Sequence, residues 1–283
     1  MIEPITAIEF ALAARNKIPA LRALGLRLVN LAKMGGYPRL FAFGSPGSGK
    51  STLAALLSGT SRELRSKSGY VPSSDTEHFK LSGEVIGSVS VVPGQPEFMD
   101  THWRKLAEQL KKAKKPCVLY VAAYGYHTVT NEINSVTANI SDTATYEMFA
   151  EHMRAREISQ LKELIKWLNP EVQGLHFVVV MNKIDLWYTN AQEVLRWYTS
   201  PGSEFYDTAT QLLAEKYGTT SYKLSFIPAA AISQNLTIRV GDRTVVLKPT
   251  SQGFDHDAFV STQSKLFDHL NGILSTDTRV KVL

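Results

Sequence analysis

Apolar and polar positions along the 283-residue chain fall into two alternating rhythms. Short continuous apolar runs read as strands buried on both faces: Arg39-Leu-Phe-Ala-Phe, Cys117-Val-Leu-Tyr-Val-Ala-Ala, His176-Phe-Val-Val-Val-Met and Lys223 to Ala231. Gly83 to Val92 has strand character and ends at Pro93-Gly94. Between these runs, apolar residues recur at helical spacing. Helices are predicted from Lys50 to about Leu57, from Pro96 to Lys115 and over 145–168, with two shorter ones filling 189–217 and a closing one over 256–271. Their inward faces carry Phe98, Trp103, Leu106 and Leu110 in the second, Tyr146, Phe149, Met153, Leu161 and Leu168 in the third, and Phe259, Leu266 and Leu270 in the last. Strands alternating with amphipathic helices predict an α/β fold of three layers, helices on both faces of a mostly parallel sheet.

Three stretches fall outside that rhythm. Residues 59–80 are polar and Ser-rich and read as a loop, and 125–144 form a second polar stretch. Residues 236–248 read as a β-hairpin, because Gly241-Asp242 suits a tight turn between Leu-Thr-Ile-Arg-Val and Val-Val-Leu. Ahead of the first strand, residues 1–36 read as two helical pieces broken near Pro19, with Leu21, Leu24, Leu28 and Leu31 on one face of the second. The expected organisation is thus an N-terminal helical extension over 1–36 and a main domain over 37–283 with insertions near 125–144 and 236–248.

Composition narrows this only a little. An apolar fraction of 44% and a charged fraction of 20% are those of an ordinary globular chain. Cys117 is the single cysteine, which excludes an internal disulfide framework and a cysteine-based zinc site. The net charge of +5 is spread along the chain apart from Lys111-Lys112-Ala-Lys114-Lys115, read as a solvated helix end complementing the helix dipole rather than a nucleic-acid patch. No run reaches the ~20 apolar residues of a membrane span. A cytoplasmic protein is expected, with peripheral membrane contact left open for the N-terminal helices. The histidines at 127, 152, 176, 256 and 269 show no metal-ligand spacing and read as surface or packed residues. Trp103 and Trp187 read as packing residues.

The chemistry concentrates where the first strand meets the first helix. Gly44-Ser45-Pro46-Gly47-Ser48-Gly49-Lys50-Ser51 fits G-x-x-x-x-G-K-S/T at every fixed position. Glycines let successive backbone N–H groups converge on phosphate oxygens. The following helix turns unpaired N–H groups and a positive dipole end toward the anion. Lys50 is placed for the outer phosphates, Ser51 for Mg²⁺ through its hydroxyl, and Thr52 for another phosphate.

Asn182-Lys183-Ile184-Asp185 follows the strand that ends at Met181. A carboxylate at Asp185 that accepts from N1–H and the 2-amino group selects guanine, since adenine offers neither donor there. Asn182 would bond the other edge of the base, and the stem of Lys183 would cover the ring.

In the order of these motifs, with Pro93-Gly94-Gln95 between them, the sequence resembles the Ras-like, or TRAFAC-class, P-loop GTPases over roughly residues 38 to 273. The resemblance implies that Ala230 and Ala231 supply backbone contacts to guanine, although the serine usual in that loop is missing. It implies that Gly94 senses the γ-phosphate and that Gln95 orients the attacking water. It also implies a first switch in 59–80, with Thr76 as the candidate for Mg²⁺. Arg62 or Arg65 would be either an internal arginine finger or, more ordinarily, solvated. One departure stands out: Val91 occupies the place of an aspartate that in the family holds a metal-bound water. The string Val-Pro-Gly-Gln is similar, locally, to the polarity GTPases of bacterial gliding motility. The expected function is slow hydrolysis of GTP to GDP and phosphate with Mg²⁺, in a switch whose state a protein partner reads. The alternative is a pseudo-GTPase scaffold that holds guanine nucleotide with little turnover, and nucleic acid is not an expected partner.

Overall fold

The structure is a computed structural model that describes residues 39–59, 75–80, 88–93, 96–113, 116–128, 143–240 and 243–275. The helices expected in 1–36, the switch candidates Arg62 and Arg65, and the pair Gly94 and Gln95 lie outside these residues.

A six-stranded sheet carries the molecule, in the order β2-β3-β1-β4-β5-β6. Its strands are β1 (Arg39–Phe43), β2 (Glu77–Lys80), β3 (Ser88–Val91), β4 (Cys117–Ala122), β5 (Leu175–Met181) and β6 (Tyr222–Pro228). All neighbours pair in parallel except β2, which runs antiparallel to β3 with Glu77 opposite Val91. The two-residue period of a strand explains the unbroken apolar runs. Leu40 and Ala42 face one layer, Phe41 and Phe43 the other, and all four are buried.

On the first face lie α1 (Lys50–Ser58) and, at the chain's far end, α7 (His256–Ser275), with Leu53, Ala54, Leu57, Leu266, Phe267 and Leu270 packed on Val89, Val91, Leu119, Val121, Val178 and Val180. The second face is covered by α2 (Pro96–Lys111), α3 (Thr143–Trp167), α5 (Ala191–Thr199) and α6 (Glu204–Tyr217); between β5 and α5 sit a single turn, α4 (Ile184–Trp187), and a 3₁₀ turn over Tyr188–Asn190. Trp103 fills the α2 side against Phe43, edge to face at 5.5 Å, and its Nε1 donates to Pro93 O at 3.0 Å. Trp103 and Trp187 are both core residues. Lys111, in the basic run, pairs with Glu171 at the helix end.

A separate two-stranded hairpin, β7 (Leu236–Val240) and β8 (Arg243–Lys248), seats Leu236 and Leu247 against Tyr146, Phe149 and Met153 of α3. Leu236–Val240 and Arg243–Lys248 therefore pair antiparallel, as expected of the hairpin. It is packed on the domain rather than projecting as a free insertion.

Several boundaries differ from the sequence reading; the last helix, for example, runs on to Ser275. The polar stretch 59–80 ends in strand β2, since pairing to β3 gives the short run Glu77-His-Phe-Lys a partner that no local propensity announces. The second helix stops at Lys111, short of Lys115. Among the described residues no helix is long and apolar enough to cross a membrane.

Candidate functional site

Every parallel strand delivers a loop to the same edge of the sheet, where open α/β folds place their ligands. β1 leads into Gly44, β3 into Val92, β4 into Ala123, β5 into Asn182 and β6 into Ala229.

The loop from Gly44 to Gly49 is gripped from two sides. Thr128 N–H donates to Gly47 O at 3.0 Å, and Asn182 Nδ2 donates to Ser48 O at 2.8 Å. The contacts are so close that side chains are excluded: a Cβ on Gly47 would sit 2.5 Å from Thr128 O, and one on Gly49 2.4 Å from Asn182 Nδ2. Both glycines also hold positive φ, at 73° and 92°, which L side chains rarely adopt. The helical ladder of α1 begins with Leu53 N–H to Gly49 O, at 2.9 Å. The amides of Lys50, Ser51 and Thr52 therefore lie in the first turn, where helices have no internal acceptor to offer. Ser51 and Thr52 are half-buried, and Pro46 is buried within the loop.

Lys50 folds back over this loop, its Nζ donating to Gly44 O at 2.8 Å and Ser45 O at 2.9 Å. Burial pushes its ammonium down to about 7, against the raising influence of the Glu77 carboxylate; the Arg156 guanidinium adds to the lowering. A cation so desolvated gains from any anion placed beside it.

At the end of β5, Lys183 adopts a left-handed conformation with φ 60°. Its Nζ donates to Tyr126 O at 2.7 Å and Thr128 Oγ1 at 3.1 Å, tying the exits of β4 and β5 together. Trp187 Nε1 donates to Asn182 O at 2.9 Å. Asp185 accepts from Gln234 N–H through Oδ2 at 3.1 Å, and its backbone carbonyl accepts from Ser251 N–H at 2.6 Å. The segments flanking the hairpin thus hold the aspartate from both sides, a role no local sequence signal marks. Burial raises the Asp185 carboxyl to about 6 despite that hydrogen bond and nearby Lys183. Ala229 exchanges bonds with the start of this turn, donating to Met181 O and accepting from Ile184 N–H. Ala230 and Ala231 follow it, buried.

Ser48 Oγ, Asn182 Oδ1 and Asp185 Oδ1 are each buried with no hydrogen-bond partner. An unmade buried hydrogen bond costs about 1–3 kcal/mol. Three of them on the phosphate-loop and strand-exit residues mark a place shaped for something polar.

Beneath the loop lies a polar network that the sequence reading did not identify. Ser45 Oγ donates to Gln160 Oε1 of α3. One turn earlier Glu157, fully buried, accepts from Ala123 N–H and from Tyr198 Oη, both at 2.7 Å. Burial raises its carboxyl to about 7. His127 Nε2 lies 3.4 Å from Glu157 Oε1, and burial holds its imidazole well below its ordinary range. The contact therefore joins a neutral ring to an acid that readily stays protonated, rather than a fixed ion pair. A signal was present: Glu157 and Gln160 interrupt the buried stripe Met153, Leu161 and Leu164, as buried polar residues of the helix.

Toward the other side, Val91 is buried among apolar residues at the end of β3. Thr76 immediately precedes β2 at the same edge of the sheet, with its Oγ1 at 3.1 Å from His102 Nδ1. The structure thus brings together residues 44–52, 182–185 and 229–231. Thr76 stands at the sheet's margin, hydrogen-bonded to α2.

Sheet order, phosphate-loop geometry and helices on both faces define a P-loop α/β fold. Among solved structures the chain is similar to Toc33 from Arabidopsis thaliana, a dimerization-deficient mutant, at 11% identity with a TM-score of 0.46, covering 92% of this chain and 97% of that one. A likeness so distant carries no argument; the chain's own geometry defines the site. No family model and no curated protein matches the chain.

Proposed function

We propose that this protein binds guanine nucleotide, hydrolyses GTP slowly to GDP and phosphate, and acts as a nucleotide-dependent switch. The observation that carries the reading is the pair of buried unpartnered atoms Ser48 Oγ and Asp185 Oδ1, a donor for phosphate and an acceptor for the base, beside a P-loop with its lysine in place. In this reading the phosphates lie against the amides of residues 47–52, and Lys50 leaves its two carbonyl acceptors for phosphate oxygens. Asp185 Oδ1 accepts from the guanine edge, the second N–H of Asn182 Nδ2 donates to the opposite, acceptor edge of the base, and Ala230 and Ala231 offer backbone groups. Gln95 orients the attacking water, and Gly94 responds to the γ-phosphate. Catalysis is then mostly positioning and charge stabilisation, with an intrinsic rate on the order of 10⁻⁴ to 10⁻² s⁻¹.

The donor set suits Mg²⁺ only in company with the nucleotide. Ser51 offers a hydroxyl at the first turn of α1 and Thr76 a second at the sheet edge, while Val91 offers none. Among the described residues no group of three His, Cys, Asp or Glu could hold a metal unaided. Mg²⁺ supplies charge neutralisation between the phosphates when bound.

Titration with a fluorescent GDP analogue in Mg²⁺ tests the core of this reading. Wild type is expected to bind, Lys50→Ala to lose about 100-fold or more, and ATP to compete poorly. Absence of binding by the wild type defeats the proposal. One observation favours the scaffold alternative: the buried valine at position 91. Single-turnover GTP hydrolysis by wild type and Gln95→Leu separates the two, since equal and negligible rates select the scaffold.

A further inference from the structure

The missing acid of β3 has a neighbour. In the β2–β3 ladder Glu77 stands directly opposite Val91, so the two side chains leave the same face of the sheet. That face is the one α1 covers: Phe79, two residues along β2, packs into the same cluster as Val91, Leu53 and Ala54. Glu77 is therefore aimed at the helix that begins with Lys50 and Ser51. Its Oε2 is buried, and its carboxylate lies within electrostatic reach of Lys50.

We propose that Glu77 supplies, from the antiparallel edge strand, the metal-directed carboxylate that β3 lacks. The inference rests on the nucleotide reading. In it, Glu77 accepts a hydrogen bond from a water on the Mg²⁺ that Ser51 and the phosphates hold, in the role an aspartate at position 91 would otherwise take. The exchange preserves chemistry because cross-strand partners sit ~5 Å apart at Cβ, and glutamate carries one methylene more than aspartate. It also explains how an apolar residue is tolerated at the end of β3.

The electrostatics give the test opposite signs under two conditions. A carboxylate beside bare phosphates repels them, whereas beside a metal it strengthens the assembly. GDP release is measured from the full-length protein with a fluorescent analogue, in Mg²⁺ and in EDTA, for wild type and Glu77→Gln. Wild type is expected to release GDP much more slowly in Mg²⁺. In Glu77→Gln that slowing falls by about 10-fold or more, while release in EDTA becomes no faster. Mn²⁺ affinity of the GDP complex, read by electron paramagnetic resonance, is expected to fall by about 10-fold or more. Adding Val91→Asp to Glu77→Gln restores the Mg²⁺ effect, which a merely structural glutamate would not permit.

The inference is overturned if the Mg²⁺ effect and Mn²⁺ affinity match wild type in Glu77→Gln. It is equally overturned if the variant binds GDP more tightly by the same factor with and without metal, which would make Glu77 only the counter-charge of Lys50. Wild type that binds no GDP at all would defeat the nucleotide reading instead, a separate outcome.

Discussion

Asp185 has two carboxylate oxygens, and the protein uses only one. Gln234 N–H occupies Oδ2 while Oδ1 stays buried and unpartnered, and the carboxyl sits at about 6 because burial outweighs that bond. Guanine presents two N–H donors and so recognises only the ionised form. Since the group is raised above its ordinary value, GDP affinity is expected to fall as pH drops through about 6 and to level off above 7. In Asp185→Asn the pH dependence should flatten, and GTP affinity should drop by about 10²–10⁴-fold, two charge-assisted bonds being lost. Xanthosine triphosphate should bind the variant better, as it offers an acceptor to the new amide. Unchanged GTP affinity in that variant would show that Asp185 does not read the base. The motif itself was legible in four letters. The occupancy of Oδ2 was not, because Gln234 meets Asp185 only through the path of the chain around the hairpin.

At the scale of elements, α3 is where the sequence reading fell short. Its apolar stripe predicted a helix packed on the sheet, and the helix spans Thr143–Trp167 as expected within two residues. Glu157 and Gln160 lie within that stripe, Gln160 bonding Ser45 of the phosphate loop and Glu157 bonding Ala123 at the exit of β4. Periodicity scores such residues as defects, although a polar residue inside a buried stripe is a sign that something is there to bond it. Strand β2 was illegible for a different reason: Phe79 packs on the apolar core, but the strand's pairing depends on a partner outside the segment. Glu157 has a thermodynamic signature. Its folded value of about 7 exceeds the ordinary 4.5, so below 4.5 both states are protonated and the favourable contribution is complete. As pH rises from 4.5 to 7 the unfolded chain gives up the proton first, and stability is lost, by about 3 kcal/mol for a 2.5-unit difference. Glu157→Gln should remove that slope. Denaturant melts at pH 5 and pH 8 should show the variant gaining on wild type at the higher pH by about that amount. Parallel curves would mean that Glu157 stays ionised in the fold.

For the whole molecule, the sheet acts as a platform whose strand exits and phosphate loop carry the buried unpaired atoms Ser48 Oγ, Asn182 Oδ1 and Asp185 Oδ1. The core clusters are dense and closed, with Phe41, Phe43, Tyr120, Phe177 and Trp103 essentially inaccessible. The unpaired atoms and the desolvated Lys50 and Lys183 lie along one edge. A ligand that satisfies that edge binds the folded state alone, so its free energy adds directly to stability. At a GDP concentration 100 times the dissociation constant the gain is about 2.7 kcal/mol. In a domain of this size that corresponds to a rise in melting temperature of roughly 5–10 °C. The gain should grow with the logarithm of GDP concentration, disappear in Lys50→Ala, and be far smaller with ADP at equal concentration. A melting temperature that responds equally to ADP and GDP would leave the phosphate loop intact as a binding element but remove Asp185 as its discriminator, because phosphate contacts alone treat the two purines alike. A temperature that responds to neither would mean that the unpaired edge is completed by something other than a nucleotide.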